Sequence, residues 1–211
     1  MTELHLTSAD LEDCERFFRA NLINSITGYK PAMLIGTQNK VGHRNLAIFS
    51  SVVHLGADPA LVGFIQRPVD VSGDTFRNIM AHNVYTINHV HEDFVEKAHY
   101  TSARFESGIS EFEACKLTPY HIEGFDAPFV MESRVRLGME LVEVIPITHN
   151  NTRLVIGRIK HILLDQACLE DDGNINLGKL NSVAVSGLEN YHLVQKLRSF
   201  PYAKVENLPD F

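Results

Sequence analysis

The spacing of apolar residues along the chain changes period, and each period predicts a different element. Between Thr7 and Ile26, Leu11, Cys14, Phe18 and Leu22 recur at helical spacing behind a Thr7/Asp10 capping pair. That pattern predicts one amphipathic helix, which should dock on the rest of the molecule. From Ala32 to Ile65 the chain shifts to short β-rich runs, Ala32–Thr37, Asn45–His54 and Leu61–Ile65, broken by turn-forming Asn39–Gly42 and Gly56–Pro59. These runs predict an antiparallel meander. Asp74 offers an N-cap for a helix over Thr75–His82, Val84–Val90 reads as a strand, and Glu92–Tyr100 fits a short helix with acids in its first turn. Arg134–Ile147 and Thr152–Asp165 flank a polar His149–Asn151 turn and predict a hairpin. Asp172–Gly173 signals a turn, and Gly187–Leu197 reads as a helix that ends near Pro201.

Strands dominate and helices decorate them, with an alternation too irregular for βαβ units, so the expected class is mainly β: an antiparallel barrel with peripheral helices. No internal repeat and no Pro/Gly/Ser-rich linker divides the 211 residues, which are expected to form one domain, 1–211.

Composition narrows the function classes. Hydrophobic residues make up 45% of the chain and charged ones 21%, an ordinary globular mixture that can build a core without disulfides or metals. The formal charge of −7 and the scattered bases leave nothing to track a phosphate backbone, so nucleic acid is not an expected partner. No apolar stretch approaches the ~20 residues of a membrane-spanning helix, and Met1 to Asp10 is polar where a signal peptide would be apolar. Cys14, Cys115 and Cys168 lie far apart and form no close pair. Reduced, structural thiols and a cytoplasmic location are expected.

Most motif chemistry is excluded. There is no G-x-G-x-x-G for a dinucleotide fold and no G-x-S-x-G nucleophile elbow. The run Gly173–Lys179 imitates the start of a P-loop, but Leu180 replaces the magnesium-ligating hydroxyl, and Glu170, Asp171 and Asp172 would repel phosphate. His89 and His91 stand at i and i+2 on a predicted strand, so they share a face and are the sharpest candidate metal pair. Nothing in the spacing of the eleven histidines nominates a third ligand.

One stretch carries more. Gly42–Phe64 contains Asn45-Leu-Ala-Ile-Phe-Ser50 followed by Asp58-Pro-Ala-Leu-Val62, and it resembles the flavin-cradling segment of the flavin reductase-like, FMN-binding split-barrel family. Further similar residues follow in order: Arg67-Pro68, Asp74-Thr-Phe-Arg-Asn-Ile79, Tyr85-Thr-Ile-Asn88, Thr101-Ser-Ala103, Ser110–Thr118, Glu140–Pro146 and Gly187-x-x-x-Tyr191. The resemblance runs from about Tyr29 onward and leaves 1–28 as an amino-terminal helical extension. Two departures stand out: Tyr29-Lys30-Pro31 replaces a common Pro-Arg-Pro, and Gly73 replaces a common Lys.

The resemblance implies an antiparallel Greek-key barrel that binds FMN non-covalently and works as a homodimer. It implies cofactor contacts from Asn45, Ile48, Phe49, Ser50, Ser51, Val52, Arg67, Thr75, Asn78, Thr101 and Ser102. The residue types are compatible with those roles. Backbone groups at an interrupted strand near Ser50 and Ser51 can meet ring heteroatoms, Phe49 and Val52 can wall the ring, and Thr75 and Asn78, with Arg67 or Arg77, can hold a phosphate. A flavin does the redox chemistry itself, so no side chain is nominated as a catalytic acid or base. The implied activity passes a hydride or electrons from a reduced nicotinamide, or another donor, through flavin to an acceptor. The alternatives are a non-catalytic flavin carrier for electron transfer and, third, a metal-dependent enzyme using His89 and His91.

Overall fold

In the computed structural model, which describes residues 2–68, 73–106 and 108–209, the amino-terminal segment forms two helices where one was expected. These are α1 (Ser8–Asp13) and α2 (Arg16–Ser25). The Thr7/Asp10 capping box is present at the start of α1. The break follows from Glu15, whose carboxylate accepts from the Phe17 and Phe18 amides at 2.8 and 3.0 Å and so starts a new helix. The Arg19 guanidinium then donates to the Leu11 and Glu12 carbonyls, closing the end of α1. Neither helix buries a residue fully, and of the expected docking face Leu11, Cys14 and Leu22 are half-buried while Phe18 is exposed.

The strands follow: β1 (Lys30–Pro31), β2 (Met33–Gln38), β3 (Arg44–Phe49), β4 (Val53–Ala57) and β5 (Ala60–Gln66). After α3 (Asp74–His82) come β6 (Val84–His89), a 3-10 turn at Glu92–Phe94, α4 (Val95–Tyr100) and α5 (Glu111–Ala114). The remainder comprises β7 (Pro119–Ile122), β8 (Phe125–Val130), the long hairpin β9 (Val135–Ile147) and β10 (Thr152–Leu164), and the short hairpin β11 (Val183–Ser186) and β12 (Asn190–Leu193).

Seven strands form one antiparallel sheet in the order β3-β2-β6-β9-β10-β5-β4. Laid flat, seven strands would hold the edges β3 and β4 roughly 29 Å apart. Ser50, Ser51 and Val52 alone join those edges, and such a link reaches about 14 Å at most. The sheet must therefore curl into a barrel whose seam is this link. The expected continuous strand 45–54 and simple meander are corrected accordingly: β3 and β4 belong to opposite edges.

Packing explains why β2 reads as an unbroken apolar run. Ile35 faces the barrel interior with Phe64, Tyr85, Ile87, Met139 and Val155. Its neighbour Leu34 packs outward with Leu46, Phe94, Phe112, Val130 and Val183. A strand covered on both faces loses its polar alternation. Gly36 is fixed by the same crowding, because a Cβ there would collide with the Pro128 carbonyl of β8.

Two further expectations change. Asp74 is the first residue of α3 and pairs with Arg77, and Gly73 occupies the cap position. The expected helix Gly187–Leu197 is the β11–β12 hairpin, with Ser186 opposite Asn190 and Gly187 at φ +62° turning the chain.

Candidate functional site

The barrel seam leaves backbone hydrogen-bonding groups unclaimed. The Leu46 N–H, on the edge strand β3, points away from β2 and donates to the Glu111 carboxylate at 2.9 Å. Two residues further, the Ile48 N–H and C=O leave on the same side. The Ser51 hydroxyl donates to the Ile65 carbonyl and accepts from the Ile65 N–H, both at 3.1 Å, tying the link to β5. Beside this seam opens a pocket of about 540 Å³. Ala47–Ser51 form one wall, Ile65, Gln66 and Arg67 a second, and His99, Thr101 and Ser102 a third. Val185 of β11, the turn residues Leu188 and Glu189, and Tyr191 of β12 complete it.

The polar groups around this pocket are unevenly satisfied. Gln66 donates its amide N–H to the Arg67 carbonyl at 3.3 Å, but its Oε1 is buried with no partner among the described residues. Among the described residues the Arg67 guanidinium bonds only the Asn24 side-chain oxygen, at 3.4 Å. Nearby, the Lys30 ammonium donates to the carbonyls of Asn24 at 2.5 Å and Gly187 at 3.0 Å. Burial, with the Arg67 charge adding to it, holds the Lys30 pKa below the usual lysine range. Among the described residues neither cation has a carboxylate within ion-pair distance. The His99 Nδ1 lies 3.1 Å from the Tyr191 hydroxyl. Burial, then the Glu189 charge, raise the tyrosine's pKa, so Tyr191 stays protonated at neutral pH and is able to donate to Nδ1 or to accept from it, according to the His99 tautomer.

Seven of the eleven residues expected at the cofactor line this pocket: Ile48, Phe49, Ser50, Ser51, Arg67, Thr101 and Ser102. The Thr101 and Ser102 hydroxyls already donate to the Ala98 and His99 carbonyls, at 2.8 and 2.7 Å, which leaves them as acceptors. The other four lie elsewhere. Val52 packs against the barrel core. Asn45, Thr75 and Asn78 form a buried cluster around Thr37: the Asn45 amide donates to Thr75 at 2.9 Å and Thr37 at 3.3 Å, and the Asn78 amide to Thr37 at 3.1 Å. Asn45 and Asn78 also border a second, polar pocket of about 500 Å³ with Arg44, Ser110 and Glu111.

The metal pair does not form. His91 has turned out of the strand, with Nδ1 at 2.7 Å from the Leu180 carbonyl and Nε2 accepting from the Arg134 N–H at 2.9 Å. Both ring nitrogens are committed, and among the described residues no group of three potential ligands assembles.

Sequence reading passed over Gln66, His99, Glu189 and Lys30 as contacts. Tyr191 was quoted within a motif but expected on a helix, and Lys30 was noticed only as a departure. His99 had no local signal, because only the fold brings α4 against β12.

Comparison with known proteins supplies the remaining context. Residues 29–176 match the family model of the flavin reductase like domain. A flavin reductase with a split barrel domain from Shewanella frigidimarina is 45% identical, with 95% of this chain and 100% of that chain covered and a TM-score of 0.92. An uncharacterized protein of Halalkalibacterium halodurans is 30% identical over 150 residues, 68% of this chain and 72% of the relative. Nitrilotriacetate monooxygenase component B from Bacillus cereus, 23% identical over 95% of this chain and 100% of its own, shares the fold with a TM-score of 0.83.

Proposed function

The chain belongs to the flavin reductase-like family, with residues 29–176 inside that domain, and on that premise we propose that it is an FMN-dependent oxidoreductase whose flavin occupies the seam pocket. The observation that carries this reading is the pocket itself. It combines the Ile48 edge of β3, the Gln66 oxygen and the Arg67 guanidinium, with the Lys30 ammonium nearby, and among the described residues the Gln66 oxygen has no partner and neither cation a carboxylate. A ring with heteroatoms on one edge and a dianionic tail has complementary chemistry at each of these points. Bound FMN would supply hydride and electron transfer between a reduced nicotinamide, or another donor, and an acceptor.

The chain's own residues then have defined tasks. The Ile48 backbone and Gln66 Oε1 orient the ring edge, and Phe49 and Ile48 give it apolar contact. Arg67 and Lys30 hold the phosphate, which assigns that role to the lysine that departs from the common Pro-Arg-Pro. The Asn45–Thr75–Asn78 cluster braces α3 against β2 and β3, a positioning role in place of direct contact. In this reading 1–211 is one flavin-binding domain, 1–28 is its helical extension, and the chain acts as a cytoplasmic homodimer. The three unpaired cysteines support a reducing compartment. Among the described residues no helix is long and apolar enough to cross a membrane.

The absorption spectrum of freshly purified protein tests the proposal, with mass identification of whatever heat releases. A flavin spectrum and the mass of FMN are expected. Colourless protein that gains no thermal stability from added FMN would overturn it. Steady-state oxidation of NADH or NADPH with an added acceptor separates the enzyme from a non-catalytic electron carrier, which keeps the pocket but shows no turnover.

A further inference from the structure

The last described stretch, 194–209, touches the body only near its start, where Val194, Gln195, Lys196 and Ser199 border a surface pocket with Pro31 and Ile175. After β12 every one of these residues is exposed, and the single element among them is the 3-10 turn Val205–Asn207. Among the described residues no hydrogen bond joins this stretch to the rest of the chain; its backbone bonds, Asn207 to Lys204 and Leu208 to Val205, are internal. Yet it is rich in large apolar side chains. Leu197 is 99% exposed, Tyr202 86%, Val205 83% and Phe200 76%. Isolated exposed apolar residues are ordinary, but a concentrated run of them in water marks an interaction surface.

A second uncovered surface lies at the other end of the chain. The helices α1 and α2 bury no residue fully, and Phe17, Phe18 and Ile26 are 69%, 56% and 70% exposed. The two ends are rooted together on the β1-β11-β12 sheet, where the Tyr29 and His192 rings meet edge to face at 4.8 Å. They are also opposite in charge. Residues 194–209 carry Lys196, Arg198 and Lys204 against one acid, Glu206, whereas 1–25 carry Glu3, Asp10, Glu12, Asp13 and Glu15 against Arg16 and Arg19.

We infer that 194–209 is an arm that packs, in a second copy of this chain, on the α1–α2 face, with the exchange reciprocated. The proposal rests on the homodimer reading and says which surfaces make the dimer. Exchange between copies satisfies both ends at once, as a twofold interface requires, since the same two patches meet twice. The two aromatic residues Phe200 and Tyr202 bury roughly 150–250 Å² each, a large share of the ~800 Å² per partner of a standard interface, and Val194, Leu197, Val205 and Leu208 add to it. The basic arm and acidic helices set which surfaces meet, and the aromatic residues supply contact area.

The test uses the full chain and two variants, one ending at Leu193 and one carrying Phe200→Asp and Tyr202→Asp, each checked for folding by near-ultraviolet circular dichroism. Light scattering of the full chain should give twice the chain mass. Both variants should dissociate at least tenfold more readily, and the full-chain dimer should weaken as salt rises. In dimers mixed from light and 15N-labelled copies, carbodiimide should join Lys196 or Lys204 of one copy to an acid before Arg16 of the other. A shortened chain that dimerises unchanged, or cross-links found only within a copy, overturns the arm and leaves the homodimer standing. A full chain that is monomeric overturns both, and if that monomer sediments with phosphatidylserine vesicles the arm belongs to a membrane surface instead.

Discussion

The imidazole of His99 and the phenol of Tyr191 meet at 3.1 Å across the seam pocket, although 92 residues separate them in sequence. Their rings stand edge to face, with centroids 5.8 Å apart and planes at 89°. A protonated Tyr191 that donates to Nδ1 would hold His99 as the tautomer with its proton on Nε2. We predict that 15N spectra at neutral pH show that tautomer. In Tyr191→Phe, which keeps the ring contact and removes the donor, the His99 resonances should move toward a mixture of the two tautomers. An unchanged His99 spectrum in the variant would show that the hydrogen bond does not form in solution.

Arg67 and Lys30 should distinguish FMN from riboflavin, which share the ring system and differ in the phosphate. A hydrogen bond to a charged group contributes about 1.5–3 kcal/mol, or roughly 10–100-fold in affinity. Arg67→Gln and Lys30→Met are each expected to weaken FMN by a factor in that range and to leave riboflavin nearly unaffected, as read by flavin fluorescence titration. Equal loss for both ligands would place the phosphate elsewhere.

How much of this was legible in the sequence depends on whether the signal was local. The β9–β10 hairpin was visible because its strands alternate around a polar turn, and the α1 capping box because its residues are three apart. Glu15 hid its break, since a glutamate is a good helix former that here caps the next helix. The β11–β12 hairpin was masked because Leu188 and Tyr191 also fit a helical period, and only the pairing of Ser186 with Asn190 decides between them. The pocket walls on β3 were legible through the Asn45–Ser50 resemblance. Asn45, Thr75 and Asn78 were drawn into the same list, although their amides and hydroxyl are used on one another and on Thr37. A motif marks which residues matter, and the packing decides whether they touch a ligand or each other.

Gly157 faces the phenol of Tyr85, which is fully buried in the barrel with no hydrogen-bond partner among the described residues. A Cβ at Gly157 would collide with that hydroxyl. Gly157→Ala should therefore destabilise the protein by about 1–3 kcal/mol, the usual cost of overpacking. Tyr85→Phe removes an unsatisfied polar atom and should be neutral or stabilising. Urea melts of the two single variants and the double variant form the cycle. Tyr85→Phe is expected to recover most of what Gly157→Ala loses, and strict additivity would rule out the contact.

Acid stability should turn on His89, whose pKa burial lowers from the usual 6.5 to about 4, with the neighbouring His91 adding to the shift. The folded protein keeps this imidazole neutral while the unfolded chain protonates it. Between pH 6.5 and about 4 the unfolded state therefore binds more protons, and stability falls as pH falls through that window. Above pH 6.5 both states are neutral and the effect vanishes. A shift of this size corresponds to about 3 kcal/mol at the acid end. His89→Gln cannot titrate, so its melting temperature should decline less steeply than that of the parent protein between pH 6.5 and 4, with the two curves parallel above that range. Carboxylates contribute to both proteins alike, so the difference between the curves isolates the histidine. Curves that run parallel through the whole range would mean that His89 takes up its proton as readily in the folded chain as in the unfolded one.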